Sequence, residues 1–217
     1  MPEIFCPVCG KLSKDDVVLY NSKLRRQNFN ISPIYPTCKK CGADVKIQTI
    51  CHGGQIIILN GTCGSGKSTI AEELMKQYGY YIIDGDCAMQ AVKHKLGITK
   101  ISTEELLAEI AREIDYISLF STCIVFSHII LSEDMMHYCN IFSERNLDYQ
   151  FYLLQPQIEE CIRRCQGRTC HSQVTPEYWI RHFHEQLTAL EGVTTIDNTN
   201  LSIQETVLKI CKSAAPF

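Results

Sequence analysis

Apolar runs and helical patterns alternate along the C-terminal three quarters of the chain. Five apolar runs have the length of buried strands and begin near Ile56, Tyr80, Cys123, Tyr149 and Gly192. Between these runs, apolar residues recur at spacings of three and four, the pattern of helices that bury one face. Strands that alternate with helices predict an α/β fold, in which a doubly wound parallel sheet carries helices on both faces.

The segment between the second and third strands is predicted to be helical. It runs from residue 87 to residue 121, and Ser102 and Glu105 within it have the spacing of a capping box. A later helical segment contains Tyr178 and Trp179, whose large rings are expected to pack against the rest of the protein.

The length and composition of the chain limit what it can be. With 217 residues it can form one α/β core and a small appendage. It has no run of about 18 apolar residues, and its first residues lack a basic segment followed by an apolar one. The sequence therefore predicts neither a membrane span nor a signal peptide, and a cytoplasmic protein is expected.

Four of the thirteen cysteines form two Cys-x-x-Cys pairs near the N-terminus, each followed by a glycine. The pairs are Cys6 with Cys9 and Cys38 with Cys41, and 28 residues separate them. Two such turns can supply the four thiolates of a tetrahedral Zn²⁺ site, and strands around 17–20 and 31–35 could form the hairpin between them. The pattern predicts a zinc ribbon. A redox pair or unligated thiols are the alternatives.

The ribbon is predicted to occupy residues 1–50, and the α/β part residues 51–217. Residues 1–50 carry eight Lys or Arg against four Asp or Glu, and residues 51–217 carry thirteen against twenty. The stretch at residues 21–28, which contains Lys23, Arg25 and Arg26, could contact phosphates, but a solvated loop is the preferred interpretation. This mild basic excess is weak support for a nucleic-acid partner.

A glycine-rich loop follows the first strand of the α/β part. Gly61, Gly66, Lys67 and Ser68 fit the spacing G-x-x-x-x-G-K-[ST]. In that pattern, backbone N–H groups surround phosphates, the lysine neutralises the β and γ groups, and the hydroxyl contacts Mg²⁺. A structural turn is the alternative. The nucleotide-binding residues predicted are Gly61, Thr62, Cys63, Gly64, Ser65, Gly66, Lys67, Ser68 and Thr69.

Two carboxylates follow the second strand as Asp84-Gly85-Asp86. Ligands bind at the carboxyl edge of an open parallel sheet, where one carboxylate could hold Mg²⁺ through water and the other could accept a hydroxyl proton. An Asx turn that caps the next helix is the alternative. The third strand ends in Ser127-His128, without an acidic residue, and His128 could contact substrate or pack at the strand end.

Basic residues follow the fourth strand. Arg164 and Arg168 share a helix face if the helix extends that far, and a polar loop follows them, as expected of a lid that closes over phosphates. A solvated basic face is the alternative. Cys161, Cys165, Cys170 and His171 could form a second metal site, but the preferred interpretation is that the thiols at helical spacing are small packed residues.

Taken together, these motifs resemble those of the small phosphate-loop kinases, which include gluconate kinase, shikimate kinase and adenylylsulfate kinase. The resemblance covers about residues 55–212 and rests on four segments: the loop from Gly61 to Thr69, Asp84-Gly85-Asp86, Arg164-x-x-x-Arg168, and Ile196-Asp197-Asn198-Thr199. It implies a P-loop NTPase sheet with strand order 2-3-1-4-5, ATP on the loop and an arginine-bearing lid.

The resemblance also implies a role for each charged residue. Asp86 would be the base, Asp84 would lie near the metal, and Lys67, Arg164 and Arg168 would contact phosphates. The sequence after Asp86 departs from the sugar-acid pocket pattern of gluconate kinase, and the ribbon is foreign to that enzyme, so substrate identity does not transfer.

The leading hypothesis is an ATP- and Mg²⁺-dependent kinase that phosphorylates a hydroxyl of a small molecule. A second hypothesis makes the acceptor a nucleotide or nucleic-acid hydroxyl that the ribbon helps to bind. A third makes the chain a nucleotide-gated interaction protein without transfer activity. No membrane partner is expected, and the sequence does not indicate an oligomeric state.

Overall fold

The computed structural model describes residues 3–18, 36–48, 53–119, 121–167 and 175–213. The strands are β1 Glu3–Cys6, β2 Gly10–Leu12, β3 Val17–Val18, β4 Thr37–Cys38, β5 Lys46–Gln48, β6 Gln55–Asn60, β7 Tyr81–Asp84, β8 Cys123–Ser127, β9 Asp148–Leu154 and β10 Thr194–Ile196. The α-helices are α1 Lys67–Tyr78, α2 Gly85–Leu96, α3 Thr103–Ile117, α4 Ser132–Glu144, α5 Ile158–Gln166, α6 Glu177–Thr188 and α7 Ile203–Ser213.

The five strands from β6 onward form one parallel sheet in the order β10-β9-β6-β8-β7. Counted along the chain, this is the order 2-3-1-4-5, and the predicted fold class is confirmed. The central strand is β6, where Gln55 is paired with Cys123 of β8 and Asp148 of β9. Because all five strands are parallel, their carboxyl ends lie at one edge of the sheet.

Each face of the sheet is covered by helices. Ile56 and Ile58 of β6 belong to a buried cluster with residues of α2, α3 and α4. Ile57 and Leu59 belong to a second cluster with residues of α1 and α7. The two sets alternate along the strand because successive side chains of a strand point to opposite faces. The continuous apolar run that begins at Ile56 therefore corresponds to a strand buried on both faces.

The N-terminal strands form two small antiparallel sheets, β2-β1-β5 and β3-β4. The partner of β3 is Thr37–Cys38, whereas the predicted partner at 31–35 lies outside the described residues. Ile4, Val17 and Val45 of this region belong to the same apolar cluster as α3. The domain boundary predicted at residue 50 lies within residues 49–52, which are outside the described residues. The division into two domains therefore stays a prediction.

The stretch predicted as helical between the second and third strands is two helices, α2 and α3. Gly97 ends α2 with a left-handed backbone (φ 66°), a conformation that glycine adopts without steric cost. The capping box is confirmed, since Glu105 N donates to Ser102 Oγ and Ser102 N donates to Glu105 Oε2. Tyr178 and Trp179, predicted to be packing residues, are 68% and 46% exposed, and their rings contact each other with centroids 5.2 Å apart.

In the part of the chain that the structure describes, none of the helices has the length and apolar character needed to span a membrane.

Candidate functional site

The glycine-rich loop connects β6 to α1 at the carboxyl edge of the sheet. Lys67 is the first residue of α1, and Gly66 before it has a left-handed backbone. Gly64 is also left-handed (φ 83°), and a Cβ atom there would overlap the backbone carbonyl of Cys161 in α5. Glycine is therefore required at position 64 both for the turn and for the close approach of α5.

Hydrogen bonds from three sides hold the loop. Thr62 Oγ1 donates to Ile180 O of α6 at 2.9 Å, and Asn198 Nδ2 donates to Ser65 O at 3.0 Å. Lys67 Nζ donates to the carbonyl oxygens of Gly61 and Thr62 at 2.7 and 3.1 Å. The lysine ammonium thus lies inside the curve of the loop, at the position where the sequence pattern expects phosphate.

Asn60, the last residue of β6, connects the loop to the segment after β8. Its amide Nδ2 donates to Ile130 O at 2.7 Å, and its Oδ1 accepts from the backbone N–H groups of Ile130 and Gly61. Sequence reasoning did not single out this residue. The available signal was a polar side chain at the end of an otherwise apolar strand.

The two carboxylates lie at the junction of β7 and α2. Asp84 is the N-cap of α2, and its Oδ1 accepts from the backbone N–H groups of Asp86 and Cys87 at 3.0 and 3.2 Å. One oxygen of Asp84 therefore caps the helix, as the Asx-turn alternative predicted. Asp86 is in the first turn of the helix, and its side chain is 76% exposed. Its carboxylate is accessible to a ligand at the sheet edge.

His128 lies beside Asp86. Its side chain is only 13% exposed and packs near the rings of Phe126 and Tyr138. A Cβ atom at Gly85 would overlap the imidazole ring. The glycine between the two aspartates thus makes room for a histidine that comes from the neighbouring strand.

The surroundings of His128 favour its neutral form. Burial is the largest effect that lowers its pKa, and the positive charge of Lys67 acts in the same direction. The carboxylates of Asp86, Asp84 and Asp134 oppose this shift without overcoming it. A neutral imidazole has one nitrogen that donates and one that accepts.

Arg164 reaches the loop from α5. Its Nε donates to Glu160 Oε1 at 2.7 Å, and its Nη2 donates to Asn198 O at 3.1 Å. Hydrogen bonds from Arg163, and then from Arg164, lower the pKa of Glu160 to about 2. This helix ends at Gln166.

Arg168, Cys170 and His171 lie outside the described residues. The helix on which Arg164 and Arg168 were predicted to share a face ends at Gln166. Cys161 and Cys165 are buried beside Ile180 in a small apolar cluster, as the packing interpretation predicted.

A cavity of about 210 Å³ opens beside the loop. Asn198, which lines the cavity, has a buried Oδ1 without a hydrogen-bond partner among the described residues, and the same is true of Ser65 Oγ in the loop. Such atoms are usually satisfied in a folded protein, so a polar ligand would complete their bonding. The cavity is lined by Gly66, Thr69, Ile70, Arg164, Asn198, Leu201, Ile203 and Thr206.

The four paired cysteines are close together. Their Sγ atoms all lie within 4.8 Å of one another, and those of Cys6 and Cys41 are 3.4 Å apart. Four thiolates around one Zn²⁺ are separated by about 3.8 Å. Although burial disfavours the Cys6 thiolate, backbone N–H groups of Cys9 and Val8 help to lower its pKa to about 7. The cluster could hold a zinc ion.

Comparison with known proteins supports this description of the fold. A family model described as AAA domain matches residues 57–179. A sugar kinase from Janibacter sp. HTCC2649 is 17% identical with a TM-score of 0.55, covering 73% of this chain and 93% of that one. The tunicamycin resistance protein of Deinococcus radiodurans is 18% identical with a TM-score of 0.58, and the similarity covers 76% of this chain and 97% of that one.

A gluconokinase from Sinorhizobium meliloti 1021 is 22% identical with a TM-score of 0.50, and the similarity covers 73% of this chain and 90% of that one. No curated protein sequence matches the chain significantly. The structural similarities show that the α/β part has the fold of small P-loop kinases.

Proposed function

We propose that this chain, which belongs to the AAA domain family, is an ATP- and Mg²⁺-dependent kinase that transfers the γ-phosphoryl group to a hydroxyl of a small molecule. One observation carries the proposal. At one edge of the sheet, an accessible carboxylate on Asp86 accompanies a phosphate loop that holds Lys67 and Arg164. Phosphoryl transfer needs these parts together, because its catalysis is mostly positioning and charge stabilisation.

The loop and α5 would form the donor half of the site. Backbone N–H groups of the loop and the start of α1 would bind the phosphates, with Lys67 and Arg164 opposite their charge. The hydroxyl of Ser68 is the group that would hold Mg²⁺, which when bound neutralises phosphate charge. The cavity beside Gly66 would take the nucleobase, with Asn198 and Thr206 as polar groups in its lining.

Asp86 would form the acceptor half. In our proposal its carboxylate accepts the proton of the acceptor hydroxyl as the new bond to phosphorus forms. Asp84 holds the start of α2 in place through one oxygen, and its other oxygen lies near the metal in the arrangement we propose. Arg168 is proposed to join Arg164 on the phosphates.

The test is a transfer assay with labelled ATP and Mg²⁺. The acceptors would be a panel of sugar acids, cyclic alcohols and nucleosides, with single-stranded RNA and DNA as separate members. Label on a small-molecule hydroxyl supports the proposal. Label on RNA or DNA alone favours a nucleic-acid kinase. Tight ATP binding with no transfer to any acceptor favours the nucleotide-gated interaction protein and contradicts the proposal.

We also propose that the four-cysteine cluster binds one Zn²⁺. A small unit of short strands buries too little apolar surface to be secure alone, and a structural zinc supplies the missing free energy. In our proposal the ion is structural, because four protein ligands leave no open position for chemistry.

For the zinc site, we expect one equivalent of zinc per chain by metal analysis of protein purified without chelators. Cys41→Ser should lose that zinc and lower the melting temperature. ATP binding should change less than about threefold, because α1, which follows the loop, packs in a different apolar cluster from Ile4 and Val17. The control is Cys211→Ser, which removes a half-buried thiol of α7 and should keep the zinc. Native protein without zinc or iron would contradict the ribbon.

A further inference from the structure

The imidazole of His128 is held in one place from several directions. Its backbone N–H donates to Leu59 O at 3.2 Å, and two residues later the chain is fixed by the bonds between Asn60 and Ile130. The backbone of Gly85 lies against one side of the imidazole ring. Neither the main chain nor the ring of His128 has room to move far.

One ring nitrogen, Nδ1, is buried and has no hydrogen-bond partner among the described residues. An unpaired nitrogen in such a place lowers stability and needs an explanation. Its nearest carboxylate oxygen is Asp86 Oδ1, at 3.8 Å. Because the Asp86 side chain is exposed and His128 is fixed, rotation of the aspartate can close this gap to the usual distance of about 2.9 Å.

We propose that His128 is a positioning residue for Asp86: its Nδ1–H donates to one carboxylate oxygen and turns the other oxygen toward the acceptor hydroxyl. The inference rests on the proposed function for the acceptor, but the hydrogen bond itself does not. It gives a role to a buried histidine that follows β8 at the carboxyl edge of the sheet.

In the proposed transfer step, the proton, the phosphoryl group and the leaving ADP each have a defined destination. The acceptor O–H bond breaks and its proton moves to the free oxygen of Asp86. The acceptor oxygen bonds to the γ-phosphorus, and the bond from that phosphorus to its bridging oxygen breaks with the electron pair remaining on ADP. His128 keeps its own proton throughout, so its contribution is orientation. A carboxylate that rotates freely would present the right oxygen only part of the time.

The matched variants are His128→Asn and His128→Leu. Asparagine and leucine have nearly the same shape, but only asparagine can keep a donor close to the Nδ1 position. Both lose the same part of the ring, so packing changes are common to the two. We expect Leu to lower the maximal rate of transfer by about ten- to a hundredfold with the KM for ATP unchanged, and Asn to restore most of it.

The second measurement is a double-mutant cycle with Asp86→Asn. If His128 acts through Asp86, then His128→Leu should have little further effect on the rate in the Asp86→Asn background. A purely structural histidine would lower the rate by the same factor in both backgrounds. Equal rates for the Asn and Leu variants, or full additivity in the cycle, would overturn the inference.

A third measurement separates this inference from the proposed function. The ¹⁵N resonances of His128 report which nitrogen carries the proton, and they can be recorded in the full chain without any acceptor. We expect a protonated Nδ1 whose shift moves in Asp86→Asn. An unprotonated Nδ1, or one that does not respond, overturns the inference even if transfer occurs. If the resonance responds but no acceptor is phosphorylated, only the proposed function fails.

Discussion

Lys67→Ala is expected to abolish nucleotide turnover, lowering the rate by about a thousandfold or more. The ammonium is the only lysine charge inside the curve of the loop among the described residues, where its Nζ lies 2.7 Å from Gly61 O. Phosphate in that position would lose its direct neutralising partner, and removal of one such preorganised group costs about 10²–10³ in rate even without a full charge. Turnover would be followed as release of phosphate or ADP at saturating ATP.

The matched control for this prediction is Lys76→Ala. Lys76 lies in the same helix, near its other end, and its side chain is 62% exposed. The control should keep normal turnover and a normal melting temperature. Because Lys67 also donates hydrogen bonds to two carbonyl oxygens of the loop, its variant needs a melting curve to show that the fold is intact. A folded Lys67→Ala protein with more than about a tenth of the normal rate would contradict the assignment.

Asp86→Asn is expected to slow phosphoryl transfer by roughly a hundredfold or more while ATP still binds. Asparagine keeps the shape of the side chain but cannot take up the acceptor proton. A hundredfold loss corresponds to about 2.7 kcal/mol of transition-state stabilisation. Binding should be retained because Asp86 is in the first turn of α2, in a different element from the loop and α5. Transfer would be measured at saturating ATP, and binding with a non-hydrolysable analogue.

Asp148→Asn serves as its control. Asp148 is an exposed aspartate at the start of β9, so it lies at the opposite edge of the sheet from Asp86. Its variant should transfer phosphate at the normal rate. An unchanged rate in Asp86→Asn would remove the aspartate from the proposed mechanism, and a loss of ATP binding in that variant would place it in the donor half.

The parts of the site that the sequence predicts well are those made by neighbouring residues. The loop from Gly61 to Thr69 is such a part, since its turn, its glycines and the start of α1 are encoded within a few positions. The same holds for the cap formed by Ser102 and Glu105. Their geometry depends on local backbone preferences, which a pattern can represent.

The parts that it does not predict depend on contacts between distant segments. Asn198 donates to Ser65 across 133 positions of sequence. Asn60 is joined to Ile130 across 70 positions. The place of His128 depends on Gly85 in another strand-to-helix junction. No spacing rule connects such pairs, because they meet only after the strands have taken their order in the sheet.

The spacing of apolar residues also does not predict where a helix ends or which of its faces is exposed. The periodicity of the segment after Pro156 does not show that α5 ends at Gln166, two residues before Arg168. The aromatic character of Trp179 suggested burial, yet α6 turns Ile180 and Leu187 inward and leaves Trp179 on its outer side. Which face of a short helix is buried is decided by its neighbours in the fold.

If the four cysteines bind zinc as proposed, the apolar cluster under α3 extends the stabilising effect of the ion beyond its four ligands. Ile4 and Val17 share that cluster with Ile110 of α3 and with Ala88 of α2, the helix that starts at the two aspartates. A metal that binds only the folded state stabilises that state, including the apolar contacts that form with it. A bound ion would therefore also stabilise the packing of α2 and, through it, the acceptor side of the site. The helices α1 and α7 pack in a separate apolar cluster and would be affected less.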